Sequence, residues 1–182
     1  MNIANKISTF RILIVPFFIA CLLYSQEKIR FRSIALIIFC LAVLSDAVDG
    51  YIARKSKQIS KAGAVLDPLG DKLLLMSAFF CLALIKEIPF WVAYIIISRD
   101  TIILLGTLVV YIVKQHMDIF PTKWGKFTTT FHMLSVICVL LKLKYAHFSW
   151  WIAIFFTVIS GIDYIMRGFK TLYALDNHHN MR

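Results

Sequence analysis

Six apolar stretches, at roughly residues 9–25, 33–54, 67–86, 89–113, 127–145 and 148–168, constrain what this chain can become more than any other feature. A helix needs about 20 apolar residues to cross the hydrocarbon core of a bilayer. Lipid offers the backbone no hydrogen bonds, so an open sheet is excluded and each stretch must satisfy its own amides as a helix. A composition of 60% hydrophobic residues with 15 Phe and a mean hydropathy of +0.77 lies far from soluble averages. The expectation is an all-α integral membrane protein of six transmembrane helices, forming a single domain over residues 1–182. Pro16 interrupts the first stretch and no small-residue cleavage pattern follows it, so it reads as a retained span rather than a signal peptide.

The formal net charge of +10 raises nucleic acid as a partner. The basic residues are instead scattered among short loops with no aromatic-interleaved patch, which excludes nucleic acid and favours anionic lipid. With the N-terminus inside, the inner segments carry Lys6, Arg11, Arg54, Lys55, Lys57, Lys61, Lys114, Lys123, Lys126, Arg167, Lys170 and Arg182. The outer loops carry Lys28, Arg30, Arg32, Lys86, Lys142 and Lys144. Twelve against six favours both termini in the cytoplasm, although the cluster at 28–32 argues the other way. Cys21, Cys40, Cys81 and Cys138 lie singly in apolar runs and read as packing residues.

Against this background residues 46–71, DAVDGYIARKSKQISKAGAVLDPLGD, stand out. They hold Asp46, Asp49, Asp67 and Asp71, four of the ten acidic residues. Helical spacing puts Asp46 with Asp49, and Asp67 with Asp71, on one face each, and the pairs could meet across a hairpin. Ionised carboxylates in a membrane cost several kcal/mol each unless compensated. Two divalent cations would cancel four carboxylates, so the run reads as a cage for hard metal ions. Asp49-Gly50 is a hairpin signal in other settings, but no strand alternation flanks it, and the helix is expected to continue through Gly50 towards Arg54. Gly50 and Ala53 leave room for a ligand or a neighbouring helix, and Pro68 is expected in the first turn of the third span. A small cation transporter would also use such acids, but the second half of the chain has no counterpart of the cluster, as paired repeats would require. A purely structural subunit leaves the four acids unexplained.

Other polar groups are fewer. Asn5, Ser8 and Arg11 share a helical face at the first span, where they serve a helix start. Arg99 and Asp100 lie about 15 Å from the outer end of the fourth span. Consecutive side chains point about 100° apart, so the two are not expected to neutralise each other. Arg99 should face the polar interior, meeting an anionic substrate or partnering an aspartate. Lys123 and Lys126, with Thr129 in the run Thr128–Thr130, follow the fourth span, and Gly125-Lys126 at a helix start suits phosphate. Asp163 and Arg167, four apart, read as a structural ion pair, and His178 and His179 as part of a polar, disordered tail.

The residues spell D-x2-D-G-x2-A-R-x8-G-x3-D-x3-D, as Asp46, Asp49, Gly50, Ala53, Arg54, Gly63, Asp67 and Asp71. This resembles the signature of the CDP-alcohol phosphotransferase family, with every fixed position present. The resemblance implies a six-helix membrane bundle, usually a homodimer, with a polar cavity facing the cytoplasm. It implies transfer of a substituted phosphoryl group from a CDP-linked donor to an alcohol, releasing CMP. By position, Asp46, Asp49, Asp67 and Asp71 look like ligands of two Mg²⁺ or Mn²⁺ ions, with Asp71 also the general base. Gly50, Ala53, Arg54 and Gly63 match positions lining the CDP site.

The segment NKISTFRILIVP, with Asn5, Ser8 and Arg11, and the later GKFTT, with Gly125, Lys126 and Thr129, are similar to the phosphatidylglycerophosphate synthase branch of that family. Ala4 replaces a proline common there, and Ser8 a threonine. That branch implies CDP-diacylglycerol as donor and glycerol 3-phosphate as acceptor, in a bacterial inner membrane. An anionic acceptor needs fixed cations, for which Arg99, Lys123 and Lys126 are the candidates. The run IIISRDTIILLG also resembles the cardiolipin synthases of the same family, whose acceptor is phosphatidylglycerol, so both acceptors stand as expectations.

Overall fold

The computed structural model describes the backbone of residues 3–56, 63–114 and 123–179, and the side chains of residues 10–45, 70, 72–106 and 124–167. The described residues form six helices and no strand: α1 Ile3–Tyr24, α2 Ile29–Ser56, α3 Gly63–Leu84, α4 Phe90–Lys114, α5 Lys123–Leu140 and α6 Ala146–His179. Each helix touches two neighbours in the order α1, α2, α5, α6, α4, α3 and back to α1, and α3 also meets α5 across the middle. α2 continues through Gly50 to Ser56, as the missing strand alternation requires. Two boundaries differ from expectation. α3 begins at Gly63, so Pro68 is its sixth residue rather than part of the first turn. α6 runs on as a helix to His179, where a disordered tail was expected; at 1.5 Å per residue its 34 residues span about 50 Å.

Hairpin turns join α1 to α2, α3 to α4 and α5 to α6 at one end of the bundle. Two of them stop their helices in the same way. Lys86 and Lys142 take positive φ, 60° and 51°. Glu87 N–H then bonds Leu82 O (2.9 Å) and Lys86 N–H bonds Ala83 O (3.0 Å), while Leu143 and Lys142 repeat the pattern onto Cys138 and Val139. These are Schellman caps with lysine where glycine is usual.

The buried apolar residues gather at this hairpin end: Phe18 and Leu22 of α1, Phe39 of α2, Leu75 and Phe79 of α3, Ile96 of α4, Val136 of α5 and Ile154 of α6 form one cluster. Cys81 belongs to it, and all four cysteines are free. Outward faces are apolar too, with Phe17 68% and Tyr94 74% exposed, the reverse of a soluble surface. Trp91 packs against Trp150 and Trp151 near the same end, as aromatic side chains do at a membrane interface. Among the described residues one helical segment, Ala146–Arg167, is long and apolar enough by itself to cross a membrane, and Phe10–Tyr24 and Lys72–Leu84 are shorter apolar segments.

Arg32, counted above as a loop charge, is a buried clamp. Its Nε donates to Leu140 O (2.7 Å) and Nη2 to Val139 O (2.6 Å), satisfying the last carbonyls of α5. Nη1 meets Glu87 Oε1 at 2.5 Å. One side chain thus ties α2 to α5 and to the α3–α4 turn. The hydrogen bond from Arg32 holds the Glu87 carboxyl below its ordinary pKa, against partial desolvation. A depressed folded-state value means that the contribution to stability is present above the unfolded-state pKa and lost as pH falls through the folded one. Glu87→Gln should therefore lower stability by about 1 kcal/mol near neutral pH. In thermal unfolding of the detergent-solubilised protein, the gap from wild type should close in acid.

Candidate active site

Because the helices alternate in direction, the half of the bundle away from the hairpin turns takes the N-terminal parts of α1, α3 and α5 and the C-terminal parts of α2, α4 and α6. The signature residues fall there on the backbone: Asp46, Asp49, Gly50, Ala53 and Arg54 late in α2, and Gly63, Asp67 and Asp71 early in α3. Their side chains lie outside the described residues, as do those of Asn5, Ser8 and Lys123. Their separations of three and four residues fall on continuous helix in both elements, so each pair shares a helical face.

Between these positions and the apolar cluster lies a layer of buried polar side chains. Asp100 has no exposure, and its Oδ1 receives two cations, Lys72 Nζ at 2.7 Å and Arg99 Nη1 at 2.6 Å. The expectation that Arg99 and Asp100 point apart is corrected. Their Cα–Cβ directions differ, but the long arginine stem folds its guanidinium back onto the neighbouring carboxylate. Arg99 Nη2 also donates to Ser160 Oγ of α6. Two of its five N–H groups are thereby engaged, and its Nε is buried with no partner among the described residues. Arg11 is buried in α1, 2% exposed.

The α5–α6 seam continues the layer. Thr157 donates to Ala153 O (2.6 Å), so the 2.8 Å contact between His132 Nε2 and Thr157 Oγ1 has the imidazole as donor. His132 therefore carries its proton on Nε2, leaving Nδ1 as an acceptor that is buried and unpartnered among the described residues. Thr128 bonds both Trp124 O and Phe156 O. Lys126 is exposed in the first turn of α5, and Thr129 donates to Gly125 O at 3.1 Å. Arg167 Nε meets Asp163 Oδ1 at 3.0 Å, the ion pair expected from their spacing. At the α4–α6 crossing Gly106 leaves room for the Tyr164 hydroxyl, which donates to Ile103 O; a Cβ there would force the tyrosine to shift.

Residues 1–159 match the family described as CDP-alcohol phosphatidyltransferase. The chain belongs to that family. Its members are membrane-associated, in keeping with the apolar exterior and the Ala146–Arg167 segment. A CDP-diacylglycerol–glycerol-3-phosphate 3-phosphatidyltransferase of Bacillus subtilis is 32% identical over 195 aligned residues, covering 94% of this chain and 97% of the relative. Proteins of the same name from Haemophilus influenzae (35% identical, 74% of this chain and 73% of the relative) and Aquifex aeolicus (28%, 95% and 99%) are also similar.

His132, Thr157 and Ser160 escaped the sequence reading. A signal was there: Thr128, His132 and Ser135 share one face of α5, and Thr157 and Ser160 one face of α6. Thr157→Val should leave the His132 Nε2–H without an acceptor and cost about 1–3 kcal/mol, whereas Thr157→Ser should stay near wild type. Denaturation midpoints of the solubilised variants check this.

Proposed function

We propose that this chain is a phospholipid-synthesising enzyme that transfers the phosphatidyl group of CDP-diacylglycerol to glycerol 3-phosphate, yielding phosphatidylglycerophosphate and CMP. The observation that carries the reading is the eight-position run from Asp46 to Asp71, in a chain that aligns over 94% of its length with a relative named for this reaction.

Four carboxylates are the donor chemistry that hard cations take, so Asp46, Asp49, Asp67 and Asp71 would hold two Mg²⁺ or Mn²⁺ ions. When bound, such ions offset the charge of the pyrophosphate and of the departing CMP. Gly50, Ala53, Arg54 and Gly63 line the nucleotide subsite, the small residues leaving room for it. Lys123, Lys126 and the N–H groups of Arg99 that no described residue engages hold the acceptor phosphate, with Asn5, Ser8, Arg11 and Thr129 in support. Asp71 takes the proton of the acceptor hydroxyl. The acceptor oxygen bonds to the phosphatidyl phosphorus as the P–O bond to CMP breaks, its electron pair leaving with CMP. No covalent enzyme intermediate is needed.

All six helices cross the membrane in this reading, as a single domain, with a polar cavity open to the cytoplasm of a bacterial inner membrane and a homodimer as the active unit. The apolar outward faces support the spans. Arg32 supports the orientation: as a buried clamp on α5 it is a structural cation, which weakens the one basic cluster that opposed it.

Purified protein given CDP-diacylglycerol and Mg²⁺ or Mn²⁺ should release CMP with glycerol 3-phosphate and lose this release with EDTA. Release with phosphatidylglycerol alone would make it a cardiolipin synthase, and no metal-dependent release with either alcohol would end the reading. Asp71→Asn should stay folded while losing at least about a hundredfold in kcat. Lys126→Ala should raise the apparent KM for glycerol 3-phosphate about tenfold and leave that for the donor nearly unchanged.

A further inference from the structure

A charged constellation among the described residues belongs to none of the signature positions. Asp100 is a carboxylate with no exposure, and it directs one oxygen, Oδ1, at two cations from different helices, Lys72 of α3 at 2.7 Å and Arg99 of α4 at 2.6 Å. A carboxylate so buried must be met by opposite charge to be tolerated. One salt bridge would suffice for that, and the adjacent Arg99 could supply it within α4. The second cation does something the first does not: it fastens α4 to α3.

The residue fastened is Lys72, which directly follows Asp71. Holding Lys72 fixes the rotation of α3 at the turn that carries the proposed base. On the other side, Asp100 grips Nη1 of Arg99 while Ser160 of α6 grips Nη2. A planar guanidinium pinned at both terminal nitrogens cannot rotate, and its remaining N–H groups, the buried Nε–H among them, keep one direction.

We infer that Asp100 is a positioning residue: through Oδ1 it locks the guanidinium of Arg99, the acceptor-binding cation, in register with the α3 turn that bears Asp71. This rests on the acceptor reading given above. Asp100 itself touches no substrate. It sets where the acceptor's anionic group stands relative to the base that takes its proton, and such placement is worth orders of magnitude in rate when it is off by about 1 Å.

The test is steady-state CMP release by the full-length protein in mixed micelles, with acceptor and donor varied separately. Asp100→Asn should raise the apparent KM for the acceptor about tenfold, as loss of a charged hydrogen bond does, with the donor KM within about twofold of wild type. In a double-mutant cycle, Asp100→Asn combined with Arg99→Gln should be no worse for acceptor KM than Arg99→Gln alone, because the first acts through the second. An unchanged acceptor KM in Asp100→Asn, equal rises in both KM values, or multiplicative effects in the double variant would overturn the inference and leave a structural ion pair. If Asp100→Asn does not fold, Asp100→Glu keeps the charge and moves it by one methylene. A selective rise in acceptor KM is then expected, and a wild-type value overturns the inference. A wild-type protein that accepts phosphatidylglycerol and refuses glycerol 3-phosphate would refute the proposed acceptor, and the same comparison run with phosphatidylglycerol would still decide the role of Asp100. A wild-type protein that releases no CMP removes both.

Discussion

Charge buried among apolar helices must be met by opposite charge or by hydrogen bonds, and two buried charges organise this bundle. At the hairpin end Arg32 answers the unsatisfied carbonyls of α5 and the carboxylate of Glu87. Near mid-bundle Asp100 answers Lys72 and Arg99. Arg32 brings α2 to α5 and to the α3–α4 turn, and Asp100 with its cations ties α4 to the preceding α3 and, through Arg99, to α6. Apolar packing against lipid-like surroundings is weakly directional. These polar ties supply the register that packing alone leaves loose.

The two ends differ in kind. At the hairpin end the turns are tight, the helices stop in Schellman caps and the core is apolar and close-packed around Phe39, Leu75 and Phe79. Beyond the layer formed by Arg99, Asp100, His132, Thr157 and Ser160 come the helix segments that bear the signature aspartates. A rigid apolar half beneath a polar half suits an enzyme whose substrates include a lipid. The scaffold gains its stability away from the chemistry, and charged groups gather where charged substrates would arrive.

The helices were legible because their cause is local. Long apolar runs have one solution in lipid, and a helix that cannot become a strand continues through Gly50. The Asp163–Arg167 pair was legible for the same reason, since i and i+4 meet on any helix. The end of α6 was misread because polar composition was taken for disorder, while the helix carries on through those residues. The Arg99–Asp100 pair was misread because Cα–Cβ directions were used for a side chain long enough to turn back. His132 and Thr157 went unnoticed as single polar residues in apolar runs, whose meaning appears only when two helices are laid side by side.

By itself the sequence determined the fold class, the number of helices and the reaction family. The first two depend on composition and on the six apolar stretches, the third on spacing along one stretch of chain, from Asp46 to Asp71. Only the tertiary structure decided what the isolated charges do. Arg32 became a helix cap rather than a loop charge, and Asp100 a tie to Lys72 as well as to the adjacent Arg99, because Leu140 lies 108 residues from Arg32 and Lys72 28 residues from Asp100 and no local rule brings them within reach. The four aspartates drew attention first as an uncompensated cost. The bundle adds that the cation nearest to them in sequence, Lys72, is already tied to the helix that carries Arg99.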